Sequence, residues 1–316
     1  MEQLVNVVFS AAFLAAVLRV STPIILAALG GLISELGGVI NIALEGSMLV
    51  AACAGVLVSV WTQSALLGLL AGVFSGTLLA LILAFFHLNL KADLILAAIA
   101  LNLLASGGTI FVVYLVTGDK SSTSRLVSGQ MPFLRDVIPG IMNLEQIGPI
   151  LNQNLLTYAA FVLTVAVAVF LYRTPLGIHL RAVGENAEAA RSVGINVSHM
   201  QYLALGLSGL LASLGGVYLS MGYVKFFARD MTGGRGFIAL AAIYLGAKRP
   251  LGTLIAALVF GAAEALAIQL GNLRVPTQLV QTIPYFATLI ALVVYAVVQR
   301  QRTLARQRRF RETRTA

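Results

Sequence analysis

Apolar residues in this chain neither alternate nor mark a single helical face; they run on for about twenty positions, stop at a short polar station and resume. Runs at 20–35, 46–61, 65–86, 92–117, 154–172, 199–222, 251–271 and 277–298 approach the ~20 residues a helix needs to cross a hydrocarbon core. A segment apolar on every side has no face to turn to water. The pattern therefore predicts an all-α, polytopic membrane protein of nine spans, counting a shorter run at 236–247, or ten if residues 4–18 cross separately. Residues 1–18 carry neither an early positive charge nor an A-x-A site and are expected to form an interfacial or additional helix, not a signal peptide.

Composition sharpens this reading. Apolar residues make up 59% and charged residues 10% of the chain, and the mean hydropathy is +0.93, against about 25% charged residues in soluble domains. A water-exposed globular surface cannot be built from that. The lone cysteine, Cys53, lies inside an apolar run, so a disulfide framework is excluded and a small buried hydrophobe is expected. The net charge is +9, and Arg300, Arg302, Arg306, Arg308, Arg309, Arg311 and Arg314 crowd the tail at 299–316. On a membrane protein such a tail reads as a cytoplasmic anchor, not as a nucleic-acid site.

Counting back from a cytoplasmic tail puts 173–197 in the cytoplasm, in agreement with Arg173, Arg181 and Arg191, and makes 118–152 a long external loop. Lys225, Arg229 and Arg235 fall on the external side and run against the rule.

One segment echoes another. GGVINIALEGSMLV at 37–50 aligns with GGRGFIALAAIYLG at 233–246: a Gly-Gly pair, three residues, then Ile-Ala-Leu. The span count sends the two in opposite directions, as in an inverted repeat with broken helices around a substrate path. A run of 236–247 at ~1.5 Å per residue is too short to cross alone, so it predicts a partial helix preceded by irregular backbone. Glu35, Asn41 and Glu45 cluster at the first Gly-Gly. Ionisable groups at membrane depth mark function by default, although Glu35 and Glu45 could equally stand at the water boundary or hold bent backbone together. Asn41, Glu45, Asn102 and Phe237 are the substrate-pathway candidates, Phe237 through stacking on a flat ring. Asn102, Glu264 and Gln269 also suit helix-to-helix hydrogen bonding. Gly68, Gly72 and Gly76 permit close backbone approach on one helix.

The stretch PLGIHLRAVGENAEAARSVGINV at 175–197 is polar and charged, with Pro175 opening and Gly194 closing an expected helix. Spacing would let Arg181 pair with Glu185 and Glu188 with Arg191. A short amphipathic helix between two spans could seat in a groove on a soluble partner, or simply connect the spans.

Within it, Glu188-Ala189-Ala190-x-x-x-Gly194 resembles the EAA motif of ABC-importer permeases. LGIHLRAVGENAEAARSVGIN, GGRGFIALA with Pro250-Leu251-Gly252, and VINIALEG resemble the permeases for branched-chain amino acids and simple sugars. VINIALEG is most similar to nucleoside permeases that work with basic-membrane-lipoprotein-type binding proteins. The loop lacks the I-x-L-P continuation of the longer consensus. The resemblance implies a permease domain at 1–298 in a bacterial inner membrane, and coupling to an ATPase subunit through Arg181, Glu185, Glu188, Ala189, Ala190 and Gly194. It also implies a second permease subunit, related or identical, and an external binding protein. ATP and magnesium would sit on the ATPase and no cofactor on this chain. A nucleoside is the expected substrate, with riboflavin, a simple sugar or a branched-chain amino acid as alternatives.

No G-x-x-x-x-G-K-[ST], H-E-x-x-H or G-x-S-x-G motif occurs, and His87, His179 and His199 have no metal-site spacing. Catalysis is therefore not expected. The competing reading is an ion-coupled secondary transporter using Glu45 or Glu264 as the titrating acid; an intramembrane enzyme lacks a nucleophile or metal.

Overall fold

The computed structural model describes residues 11–137 and 148–271; the expected span at 277–298 and the tail at 299–316 lie outside the described residues. Ten helices carry the architecture: α1 (Ala11–Leu36), α2 (Leu44–Thr62), α3 (Ala65–Leu88), α4 (Leu94–Thr117), α5 (Leu155–Arg173), α6 (Pro175–Glu185), α7 (Ala187–Ser192), α8 (Val197–Val217), α9 (Arg235–Leu245) and α10 (Pro250–Gly271). A π-helical turn, Tyr218–Tyr223, extends α8. Seven of these helices are long and apolar enough to span a bilayer. Among the described residues there is no strand, and extended pairing is confined to two isolated bridges. The chain is an all-α polytopic membrane protein.

Of the 4–18 segment, residues 4–10 lie outside the described residues and 11–18 form the opening turns of α1, continuous with the span that follows. Pro23 lies inside that helix and cannot donate to the carbonyl of Arg19. Tyr218 Oη donates to that carbonyl at 3.1 Å instead, which satisfies a backbone group that lipid would leave unpaired.

Helices α1, α2 and α8 form the centre, with 67%, 67% and 72% of their apolar windows buried, whereas α4 has 22% and faces outward. Lipid gives no hydrophobic drive for one helix to seek another, so close packing of small residues does the work. A Cβ on Gly72 would stand 2.4 Å from Val217 Cγ2, and one on Gly76 would stand 2.5 Å from the Ser47 carbonyl oxygen. The glycine steps of α3 thus seat it against α2 and α8, as the G-x-x-x-G spacing predicts.

The molecule has two distinct ends. At one, the exit of α1 meets the α6–α7 loop, Glu35 pairs with Lys248 at 2.6 Å, and Tyr202 Oη donates to Asn89 at 2.5 Å. At the other, the long loop folds over the 224–234 segment: the Thr123 amide donates to the Phe227 carbonyl at 2.9 Å, Ser128 to that of Lys225 at 3.1 Å, and Ser59 to that of Gly129 at 3.1 Å. Residues 138–147 of the long loop lie outside the described residues.

Candidate functional site

The two echoing segments meet inside the bundle. Both cross an interruption at the second glycine of the pair: Gly38 has φ +78° and Gly234 φ +80°, the left-handed region that only glycine enters freely. After the first break the chain turns into α2, which runs toward the long-loop end; after the second it enters α9, which runs back toward Lys248. The 11 residues of α9 cover about 16 Å, roughly half of a ~30 Å hydrocarbon core. The partial helix and the irregular backbone before it are both present, and the directions are opposite, as the alignment requires.

A half-helix beginning inside a membrane exposes unpaired amides and the positive end of its dipole. Glu45, in the first turn of α2, supplies both remedies: Oε1 accepts from the Gly234 amide at 2.8 Å and Oε2 from the Gly236 amide at 2.7 Å. One carboxylate joins the repeats. Asn102 of α4 repairs the other break, accepting from the Gly46 amide at 2.8 Å and donating to the Ile42 carbonyl at 3.0 Å. Asn41 is fully buried; it donates to Ser208 Oγ at 2.9 Å and accepts from the Ala43 amide at 3.1 Å. Phe237, by contrast, is 49% exposed, one residue beyond the Glu45 cap.

Of the four pathway candidates, Glu45 and Phe237 therefore come together at the start of α9, whereas Asn102 and Asn41 brace the first break from α4 and from within. Glu35 is tied to Lys248 at the α6–α7 end. Glu264, on α10, forms a direct ion pair with Arg235, and both side chains are only 14% exposed. Arg235 also donates to the Met231 and Thr232 carbonyls at 3.0 and 3.2 Å. With Arg229 beside Asp230 at 3.4 Å, two of the three cations that run against the charge rule are neutralised locally. Spacing could not find the Arg235–Glu264 pair, since 29 residues separate them.

The polar loop is also more divided than expected. In place of one helix from Pro175 to Gly194 there are two, α6 and α7, parted at Asn186, whose extended backbone ends the first while its side chain caps the Ala189 amide at 3.0 Å. Thr174 caps the entry by accepting from the Gly177 amide at 3.1 Å. The expected pairs Arg181–Glu185 and Glu188–Arg191 do not form: neither is among the ion pairs of the described residues. Arg181 lies over the Tyr172 ring at 4.8 Å, a cation–π contact that competes with the helical pair. Glu185, Glu188, Ala189 and Arg191 are exposed, while Ala190 is buried against Val183, Val197 and Met200. Gly194 takes φ +87°, and Val193 beside it is 75% exposed. Leu176 and Ile178 on α6 are about half exposed as well, so the loop presents a polar ridge with three bare apolar side chains, stapled to the bundle from beneath.

Among the described residues no group of acids, histidines and cysteine could hold a metal ion.

Residues 13–298 match the model of a family described as the branched-chain amino acid transport system permease component. The chain is 37% identical over 292 residues to the guanosine ABC transporter permease protein NupQ of Bacillus subtilis, covering 88% of this chain and 89% of the relative. It is 31% identical over 289 residues to the nucleoside ABC transporter permease protein NupC of Lactococcus lactis, with 87% and 89% covered. To the putative glucose ABC transporter permease protein TsgC13 of Haloferax volcanii it is 32% identical over 317 residues, with 92% and 93% covered.

Proposed function

The chain belongs to the branched-chain amino acid transport system permease family, and from this we propose that it is the membrane subunit of a bacterial ABC importer for nucleosides. The similarity to guanosine and nucleoside permeases over nearly nine-tenths of the chain is the observation that carries the substrate class. The glucose-permease relative supports a simple sugar as the second reading.

In this account two permease subunits, this one and a related or identical partner, enclose the path. An external binding protein delivers the nucleoside, and ATPase subunits carrying ATP and magnesium seat the α6–α7 ridge from the cytoplasm. The basic loop and the basic tail support this sidedness. Glu185, Glu188, Ala189 and Gly194 meet the ATPase; Ala190 and Arg181 hold the ridge in shape from within. Phe237 is the side chain placed to stack on a nucleobase, and Glu45, Asn102 and Asn41 hold the broken backbone around it. ATP binding favours one of two states of the assembly and so switches the side to which the cavity opens.

The ATPase activity of the purified complex tests this reading. Glu188→Trp or Gly194→Trp should abolish substrate-stimulated hydrolysis while the chain still inserts; normal stimulation would refute the docking role. Uptake of radiolabelled guanosine, competed by unlabelled guanosine and not by glucose, selects the nucleoside; saturable uptake of radiolabelled glucose that guanosine does not compete selects the sugar.

A further inference from the structure

Helix α6 touches the bundle where α1 ends. A Cβ on Gly184 would stand 2.0 Å from the Leu36 carbonyl oxygen and 3.0 Å from the Gly38 amide nitrogen, and one on Gly38 would stand 3.1 Å from Gly184 Cα. The exposed loop therefore meets the first break backbone to backbone, with no side chain between to absorb a displacement. Just beyond the contact, the Val39 amide donates to the Ser34 carbonyl at 3.1 Å and the Asn41 amide to Ser34 Oγ at 3.3 Å. Asn41 fixes Ala43, the residue that precedes α2. Glu45, one turn on, grips the two amides that open α9, and Phe237 follows.

We propose that Gly184 is the positioning residue through which the ATPase-facing loop acts on the substrate path: the Gly184–Leu36–Gly38 contact passes loop movement through Ser34, Asn41 and Glu45 to the start of α9. The proposal rests on the ABC-importer reading and adds to it the residue and the route. Coupling of this kind needs contiguous elements that move together, and the links here are a backbone contact, hydrogen bonds and the first turn of α2. Gly177 provides an internal comparison. A Cβ there would stand 2.0 Å from the Phe170 carbonyl oxygen, an equal steric conflict on the same helix, but against α5 and away from the break.

The test uses the whole complex with Cys53→Ala, Phe237→Cys as reporter, and a water-soluble maleimide. Trapping the ATPases with ATP and vanadate should change the labelling rate of the reporter by about 10-fold. Gly184→Ala should remove that change while ATP hydrolysis continues, and Gly177→Ala should keep it. Ser34→Ala, which introduces no clash, removes the bond to the Asn41 amide and keeps the one from Val39 to the Ser34 carbonyl, should diminish it. A nucleotide-dependent change that survives Gly184→Ala, or that is undiminished in Ser34→Ala, overturns the route, as does its loss in Gly177→Ala. So does a parent complex that hydrolyses ATP without any change at Phe237. A parent chain that binds no ATPase refutes the importer reading itself.

Discussion

Arg235 and Glu264 show how single residues are kept within lipid. Each is an ionisable group whose isolation at membrane depth costs at least ~2.5 kcal/mol; Glu264 is paired with Arg235, which also donates to the Met231 and Thr232 carbonyls. Arg235→Ala should therefore destabilise the detergent-purified chain by about 3 kcal/mol, the cost of stranding a buried partner, and Arg235→Ala with Glu264→Ala should recover part of the loss. Thermal denaturation of the two single variants and the double variant checks this, and strictly additive shifts would deny the coupling. Glu45 makes a different case, because its partners are backbone amides. Glu45→Ala should cost roughly 1–3 kcal/mol for the unsatisfied donors and slow uptake. Glu45→Gln, whose amide oxygen still accepts, should cost less in both measurements. An ion-coupled carrier that used Glu45 as its titrating acid would instead lose transport as fully in the glutamine variant as in the alanine variant.

At the scale of elements, small residues decide which helix faces meet. Gly72→Val would push into Val217 and the Ala51 carbonyl, and overpacking of this sort costs about 1–3 kcal/mol. A Cβ at Gly107 on α4 meets nothing within 4 Å, so Gly107→Val should leave the thermal midpoint of the isolated chain nearly unchanged. Comparison of the two midpoints in one detergent is the check. The spans were legible in the sequence because membrane helices declare themselves by length and uniform apolarity, and the glycine steps of α3 declare their own packing. The half-helix α9 was legible too, from a run too short to cross and an aligned Gly-Gly. Three things were not. The division of the loop at Asn186 was hidden because a single extended residue, acting as an N-cap, outweighs a helical pattern on both sides of it. The failure of Arg181 to pair with Glu185 came from Tyr172, an aromatic ring on a neighbouring element. The union of the two repeats through Glu45 joins residues 189 and 191 positions apart, and spacing within one helix carries no information about such contacts.

The described residues form a bundle of spanning helices with two breaks at its centre and a polar handle at one end. The breaks are held by hydrogen bonds and the handle by a close backbone contact, so movement of one has a short physical route to the other. In the proposed importer the energy for transport comes from the ATPase and reaches the path through the handle. Proteoliposomes give the most direct measurement of that claim: accumulation of radiolabelled guanosine against its gradient, with the chain reconstituted alone and as the complete complex, in the presence of ATP or of a non-hydrolysable analogue. Accumulation is expected from the complete complex with ATP and not with the analogue, and it is lost in Glu188→Trp. Accumulation by the isolated chain under a proton or sodium gradient would contradict it.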